Sequence, residues 1–445
     1  RRLARQQDEM VAKGGELPAL FGLPVGVKDL EDTEGLRTTF GSPLFKDNVP
    51  AKDELIVAAV RRDGGNVVGK TNTPEFGAGA NTRNAVYGVT GNPFDPQKSA
   101  AGSSGGSAVA LATGMVPLCT GSDTGGSLRN PAAFSGIVGF RPTPGLVPSD
   151  KRGLGWSGLP VLGPMARTVA DTALMLGSIA SDDASDPLAT TVHGATVRRA
   201  GDFTPVPAVD LSRVRAALTP DFGFAPTETQ MRDTFAEKTG LFRHVFARAE
   251  DTTPDCSGTD ETFEILRALA FLSAHKEKVE KTPDQVGPNV RANVAEGLGY
   301  SAADVARAMT VQTTLYRRWQ GFFRDFDVIL TPAITVSPRS WRELYPAEID
   351  GKPTRTYFHW LAMAYAVTVV GHPAISLPVG LDRNGMPFGL QIVGPRGGDA
   401  LVLSVAAALE AMLAGDPRTA RPVPDIAKLR AAPRLSDSPG FLGFD

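Results

Sequence analysis

The chain alternates short apolar runs with stretches in which apolar residues recur every three or four positions. Residues 51–63 (AKDELIVAAVRRD) follow the second pattern and end at Gly64-Gly65, which predicts an amphipathic helix followed by a strand at Asn66 to Val68. Met165, Val169, Ala173, Leu176 and Ala180 keep spacings of four, four, three and four, predicting one helix face. A last helix is predicted from about Asp399 to Leu413, with Leu401, Val405, Leu409 and Met412 on one side. The short runs Leu23 to Val27, Val328 to Leu330, Ala374 to Leu377 and Leu390 to Val393 predict strands. Residues 1–14 read as a polar helix, 91–106 as a loop rich in Gly, Ser, Pro and Asn, and about 107–113 as an Ala-rich helix. Residues 182–262 are mixed in texture and carry no motif. Strand-like runs interleaved with helices predict the α/β class.

Composition narrows this picture mainly by exclusion. With 46 basic and 48 acidic residues among 445, the net charge is −2, so no global field favours nucleic acid and no polybasic run favours an anionic membrane. No apolar run approaches the roughly 18 residues of a membrane-spanning helix. The chain begins with Arg1, so a preceding N-terminal stretch is expected, and Arg1-Arg2 is not followed by the apolar segment of an export signal. Cys119 and Cys256 are too few for a disulfide framework or a cysteine metal site, and Cys119 reads as a small buried core residue. A reducing, cytoplasmic location is expected.

Two motif matches fail on context. Gly64 to Thr71 (GGNVVGKT) fits the phosphate-loop pattern, but that mechanism needs a strand before the first Gly and a helix after the Lys-Thr. Here the predicted order is inverted and Pro74 follows. Gly102-Ser-Ser-Gly-Gly106 fits a nucleophile elbow centred on Ser104, yet the preceding residues 95–101 (DPQKSAA) form a polar loop rather than a strand. No downstream histidine has a distinctive setting; His372, in Gly-His-Pro, reads as a structural turn residue.

Chemistry gathers in two Gly/Ser clusters, Gly102-Ser-Ser-Gly-Gly-Ser107 and Gly121-Ser-Asp-Thr-Gly-Gly-Ser127. Glycine pairs beside a serine leave backbone N–H groups free to converge on a developing oxyanion, as acyl transfer requires. Neither cluster holds a histidine to serve as base. Lys28 follows an apolar run (FGLPVGV) whose desolvation would lower its pKa, so a Ser–Lys mechanism is chemically coherent. Taken alone, these residues still leave an ordinary exposed Lys28 as the better reading.

The stretch Ala100 to Thr143 (AAGSSGGSAVALATGMVPLCTGSDTGGSLRNPAAFSGIVGFRPT) resembles the amidase signature. Flanking blocks agree in the family's order: Gly26-Val-Lys-Asp29, Gly69-Lys-Thr-Asn-Thr-Pro-Glu-Phe76, Gly163-Pro-Met-Ala-Arg167, Pro373-Ala-Ile-Ser-Leu-Pro378 and Gly389-Leu-Gln-Ile-Val-Gly-Pro395. The likeness covers most of the chain except about 185–320. It implies one amidase signature domain over 1–445, with a signature core at about 66–180, a variable helical insertion at about 185–320 and the C-terminal part of the core at about 325–415. The implied fold is a large twisted mixed β-sheet covered by helices on both faces.

Carried over by motif, the resemblance assigns Ser127 as nucleophile, Ser103, 24 residues upstream and preceded by a cis peptide, as relay serine, and Lys28 as base. Backbone amides of Thr124, Gly125, Gly126 and Ser127 would form the oxyanion hole, with Ser104, Asp123 and Arg129 in support. Asp123 and Arg129 read equally well as an ordinary ion pair. Ala101 stands where the family more often has Gly. Gly77, Ala78 and Gly79 would line the acyl pocket and leave room for a bulky group. Trp156 and the region of Trp341 to Trp360 are candidates for its mouth, with core aromatics the competing reading.

The implied reaction is hydrolysis of a small-molecule carboxylic amide to acid plus ammonia or amine. No metal or organic cofactor is expected, nor a nucleic-acid or membrane partner; a homodimer is one candidate assembly. The rival within the family is the ammonia-producing amidase component of a tRNA-dependent amidotransferase. Such components carry Met-Asp-Glu-Phe where this chain has Thr73-Pro-Glu-Phe76, and Tyr-Gly-Arg-Val-Ser where it has Pro144-Gly-Leu-Val-Pro148. Both departures favour a free-standing hydrolase. A catalytically dead binding homologue would be expected to lose Lys28, Ser103 or Ser127, and all three are present.

Overall fold

A computed structural model of the chain describes residues 2–189, 191–192, 195–196 and 200–443. Among these, ten strands build one mixed sheet: β1 Pro24–Lys28, β2 Asn66–Thr71, β3 Leu118–Asp123, β4 Val138–Arg141, β5 Val161–Ala166, β6 Arg215–Leu218, β7 Arg248–Asp251, β8 Val328–Pro332, β9 Ala374–Leu381 and β10 Pro387–Val393. Their order across the sheet is β7-β6-β8-β10-β9-β4-β5-β3-β1-β2. One end, β2-β1-β3, is parallel, as are β7, β6 and β8 at the other; the strands between are antiparallel.

Every residue of β10 is buried although successive side chains point to opposite faces, so both faces of the sheet are covered. The covering helices include Arg129–Ser135 against β9 and β10, Val169–Ile179 against β5, and Asp399–Leu413 against β9. Their apolar sides join the sheet in a single large core. Thr168 caps the Val169–Ile179 helix by accepting the Asp171 N–H at 3.1 Å. No helix among the described residues is long and apolar enough to cross a membrane.

The α/β class and the mixed sheet match the expectation. Individual elements depart from it where one pattern imitates another. Met165, grouped with a helix face, lies in β5, and the helix starts at Val169, because strand and helix happen to share an apolar spacing across the Arg167-Thr168 turn. Residues 185–320, read as a helical insertion, also supply β6 and β7 of the main sheet. Lys70 lies inside β2 rather than at a helix N-terminus, which removes the phosphate-loop geometry. His372 is wholly buried, its Nδ1 3.0 Å from the Gly394 carbonyl oxygen and its ring against Tyr316, Trp319 and Phe323; burial lowers its pKa to about 3, so it stays neutral. Cys119 is likewise buried, its thiol pushed up to about 12 by desolvation.

Candidate active site

Lys28 closes β1, and Ser122 and Asp123 close the adjacent parallel β3. The carboxyl ends of parallel strands are where α/β sheets place their ligands. Ser103 and Ser104 lie just before the helix Gly105–Ala112, and Ser127 lies between β3 and the helix Arg129–Ser135. The Gly102–Ser103 peptide is cis. The two clusters are tied directly, Ser104 N–H donating to the Ser127 carbonyl at 3.3 Å.

Lys28 is 0% exposed, and its Nζ donates to Ser103 Oγ at 2.7 Å, Ser104 Oγ at 2.8 Å and Ser122 Oγ at 2.9 Å. Burial lowers its pKa from 10.5 to about 7, with the charges of Glu31 and Asp123 opposing. Asp29, the neighbour in sequence, takes no part: its carboxylate accepts from Thr39 N–H at 3.1 Å and from the Thr39 hydroxyl. The elbow reading of Ser104 ends here, since its hydroxyl is held by Lys28 and no strand precedes it.

Asp123 shapes the loop that follows it. Its carboxylate accepts from Gly126 N–H at 2.9 Å and Leu128 N–H at 3.2 Å while pairing with Arg129 at 2.8 Å and Arg141 at 3.2 Å, the three charged side chains being fully buried. Burial works against its charge, but the two guanidinium groups outweigh this and hold the carboxyl well below its ordinary range. Asp123 and Arg129 are therefore a buried brace rather than a surface ion pair. Gly126 sits at φ +101°, and a Cβ there would lie 2.4 Å from Ala364 Cβ, so the turn admits only glycine. Because its N–H is engaged by Asp123, Gly126 drops out of the four expected oxyanion donors. Thr124, Gly125 and Ser127 remain on the wall of the cavity.

That cavity, about 200 Å³, exposes Ser103, Ser122 and Ser127 together. Gly77 and Gly79 line it as expected, but Ala78 turns away and packs with Val286 and Val290. Of the tryptophans weighed between its mouth and the core, Trp341 and Trp360 are core, and Trp156 is 82% exposed without lining it. Tyr357 and Phe358 do line it. So do Phe263, Arg267, Ala270, Phe271 and His275 of the helix Thr259–Lys281, which the sequence reading passed over. Their near-fourfold spacing marks one helix face but does not separate a cavity face from a core face. Ser122 was also missed; Thr120, two residues earlier on the same face of β3, accepts the Lys28 N–H at 2.9 Å, and that i, i+2 relation marks Ser122 as facing Lys28.

A buried amine of lowered pKa, hydroxyls around it and a cavity beside them form a hydrolase-type site. A family model described as Amidase matches residues 1–403. An acylamidase of Rhodococcus erythropolis is 33% identical over 416 residues, covering 92% of this chain and 84% of that protein. One of the component chains of the glutamyl-tRNA(Gln) amidotransferase of Persephonella marina is 30% identical, covering 91% and 86%. The crystal structure of a bacterial aryl acylamidase of the amidase signature family superposes with a TM-score of 0.84 at 25% identity, covering 94% of this chain and 87% of that one. The chain belongs to the amidase signature family and is an amidohydrolase.

Proposed function

We propose that the chain hydrolyses a linear carboxylic amide to acid plus ammonia or amine through an acyl-enzyme on Ser127. The observation that carries this reading is Lys28 Nζ, wholly buried and 2.7 Å from Ser103 Oγ, which shares a cavity with Ser127. As an ammonium, Lys28 donates to all three serines; as a neutral amine it keeps two N–H groups and gains a lone pair. With Ser104 and Ser122 accepting the two N–H groups, the lone pair meets the Ser103 hydroxyl. Lys28 takes the Ser103 proton while Ser103 takes that of Ser127. The Ser127 oxygen then bonds to the carbonyl carbon, and the C=O π pair moves onto oxygen, facing the amides of Thr124, Gly125 and Ser127. On collapse the C–N bond breaks, and the nitrogen receives its proton from Ser103, which is reprotonated by Lys28. Water enters by the same relay and releases the acid.

Ser127→Ala is expected to abolish turnover and labelling by a fluorophosphonate. Labelling that persisted at Ser104 would overturn the assignment. The isolated chain is also expected to release ammonia or amine from simple amides. Turnover of glutamine alone, dependent on a partner protein, would instead favour the amidotransferase-component reading that the Persephonella relative represents. Thr73-Pro-Glu-Phe76 and Pro144-Gly-Leu-Val-Pro148 argue for the free-standing hydrolase.

A further inference from the structure

The cavity wall opposite in character to the serines is aromatic, and it holds one formal charge among its described lining residues, Arg267. His275 beside it is neutral, because burial and the nearby Lys278 charge lower its pKa to about 4. Arg267 is only 6% exposed. Among the described residues its guanidinium finds a single hydrogen-bond acceptor, Asn293 Oδ1; the charge of Glu296 favours the guanidinium without an ion-pair contact, and burial outweighs it. Asn293 is itself fixed, donating to the Asn289 carbonyl at 2.6 Å and to Tyr357 Oη at 2.6 Å. The rings of Phe271, Tyr357 and Phe358 lie 4.6, 4.8 and 4.5 Å from the guanidinium carbon. Ring stacking stabilises the cation without neutralising it, and leaves the in-plane N–H edge for an acceptor. A buried, oriented guanidinium with no carboxylate in contact, set in the cavity wall, is suited to receive an anion.

We propose that Arg267 makes this cavity selective for amides that carry a carboxylate group away from the scissile bond. The carboxylate would accept from the guanidinium edge, in the fork geometry that arginine offers, while the surrounding rings cover the apolar part of the substrate. This specificity rests on the amide-hydrolase reading above.

The test uses isosteric pairs with the charge on either side of the amide: glutaranilic acid against 5-methylhexananilide, and 4-acetamidobenzoate against 4-isopropylacetanilide. The wild-type enzyme is expected to favour the carboxylate member of at least one pair by tenfold or more in kcat/KM. Arg267→Gln should lower that ratio at least tenfold, mainly through KM, and Arg267→Lys should restore part of it. Should the variants fold poorly, wild-type protein suffices: 4-phenylbutyrate should protect Ser127 from a fluorophosphonate at concentrations tenfold below those needed of 4-phenylbutanol. Equal treatment of both members, or a preference that survives Arg267→Gln, overturns the inference. If the neutral anilides are hydrolysed and Ser127 is labelled, that failure belongs to Arg267 alone. If no amide is hydrolysed and no label appears, the hydrolase reading fails and takes this inference with it.

Discussion

Lys28 and Lys70 lie on adjacent strands, with Val27 of β1 paired to Lys70 of β2. Burial lowers the pKa of both. Their partners differ. Lys28 Nζ meets three serine hydroxyls, whereas Lys70 Nζ donates to the Glu31 carbonyl and, at 2.8 Å, to Thr33 Oγ1, among the charges of Glu31, Asp29, Glu54 and Asp53. A hydroxyl can both accept from an amine and donate to it, so it accommodates the ammonium and the free base alike. Carboxylate charges favour the ammonium at both sites, Glu31 and Asp123 at Lys28 and Glu31, Asp29, Glu54 and Asp53 at Lys70, and burial outweighs them at both. In the proposed relay Lys28 exchanges its proton among hydroxyls, whereas Lys70 ties the Glu31 backbone to Thr33 as a strut. Burial is common to the two lysines, so what separates them is the set of groups each touches.

The largest effect expected from breaking this contrast is on turnover. Lys28→Ala should lower kcat/KM for amides by about 10³-fold or more, within the range of lost acid–base catalysis. The wild-type profile should rise through about pH 7, where Lys28 loses its proton, and stay level above. A profile governed by a group near pH 6 and abolished by a histidine substitution would refute the lysine base. Lys28→Ala should also cost anilides more than phenyl esters, whose leaving group departs without a proton. Lys70→Met should act on stability instead. It removes the hydrogen bonds to the Glu31 carbonyl and Thr33 Oγ1 and the cation among these acids, and should cost about 1–3 kcal/mol, measurable by urea unfolding. If Lys70→Met matched the rate loss of Lys28→Ala while remaining folded, the division of roles would be wrong.

Smaller changes sharpen the comparison. The charge of Glu31 raises the Lys28 pKa, so Glu31→Gln should move the rising limb of kcat/KM to lower pH, by less than one unit. Asp29→Asn should leave the limb in place, since the Asp29 carboxylate is committed to Thr39. Ala101 adopts φ +57° beside the cis peptide, a left-handed conformation unfavourable to any side chain. Ala101→Gly should therefore stabilise the protein slightly, by about 0.5–1 kcal/mol, readable as a rise in Tm.

The serine and lysine positions came from the resemblance to the amidase signature: the Gly/Ser clusters showed free amides and tight turns, but Lys28 taken alone read as an exposed lysine. The strands β1, β8, β9 and β10 were legible as continuous apolar runs. Leu118–Asp123 was not, because it ends in Gly-Ser-Asp, and those residues read as loop even though Ser122 turns to Lys28. The cavity wall was least legible. Phe263, Arg267 and Phe271 are spaced as any core-facing helix residues are, and nothing local tells a residue facing a pocket from one facing a core. The departure of Gly126 from the oxyanion set was invisible for a similar reason, since it depends on where the Asp123 carboxylate points.

The helix Thr259–Lys281 belongs to the stretch between β7 and β8, at the far end of the sheet order from β1 and β3, yet it reaches the cavity that the serines share. The proposed reactive groups and this part of the cavity wall thus come from separate parts of the gene, although Gly77 and Gly79 of the same cavity lie between Lys28 and Ser103 in sequence. Substitutions along that helix face are expected to retune which amides are admitted without touching the proposed relay. Diversification within such a lineage should accumulate there first. Exchange of residues 259–281 together with the helix Pro288–Gly299, which carries Asn293, between two such enzymes should carry over preference rather than rate.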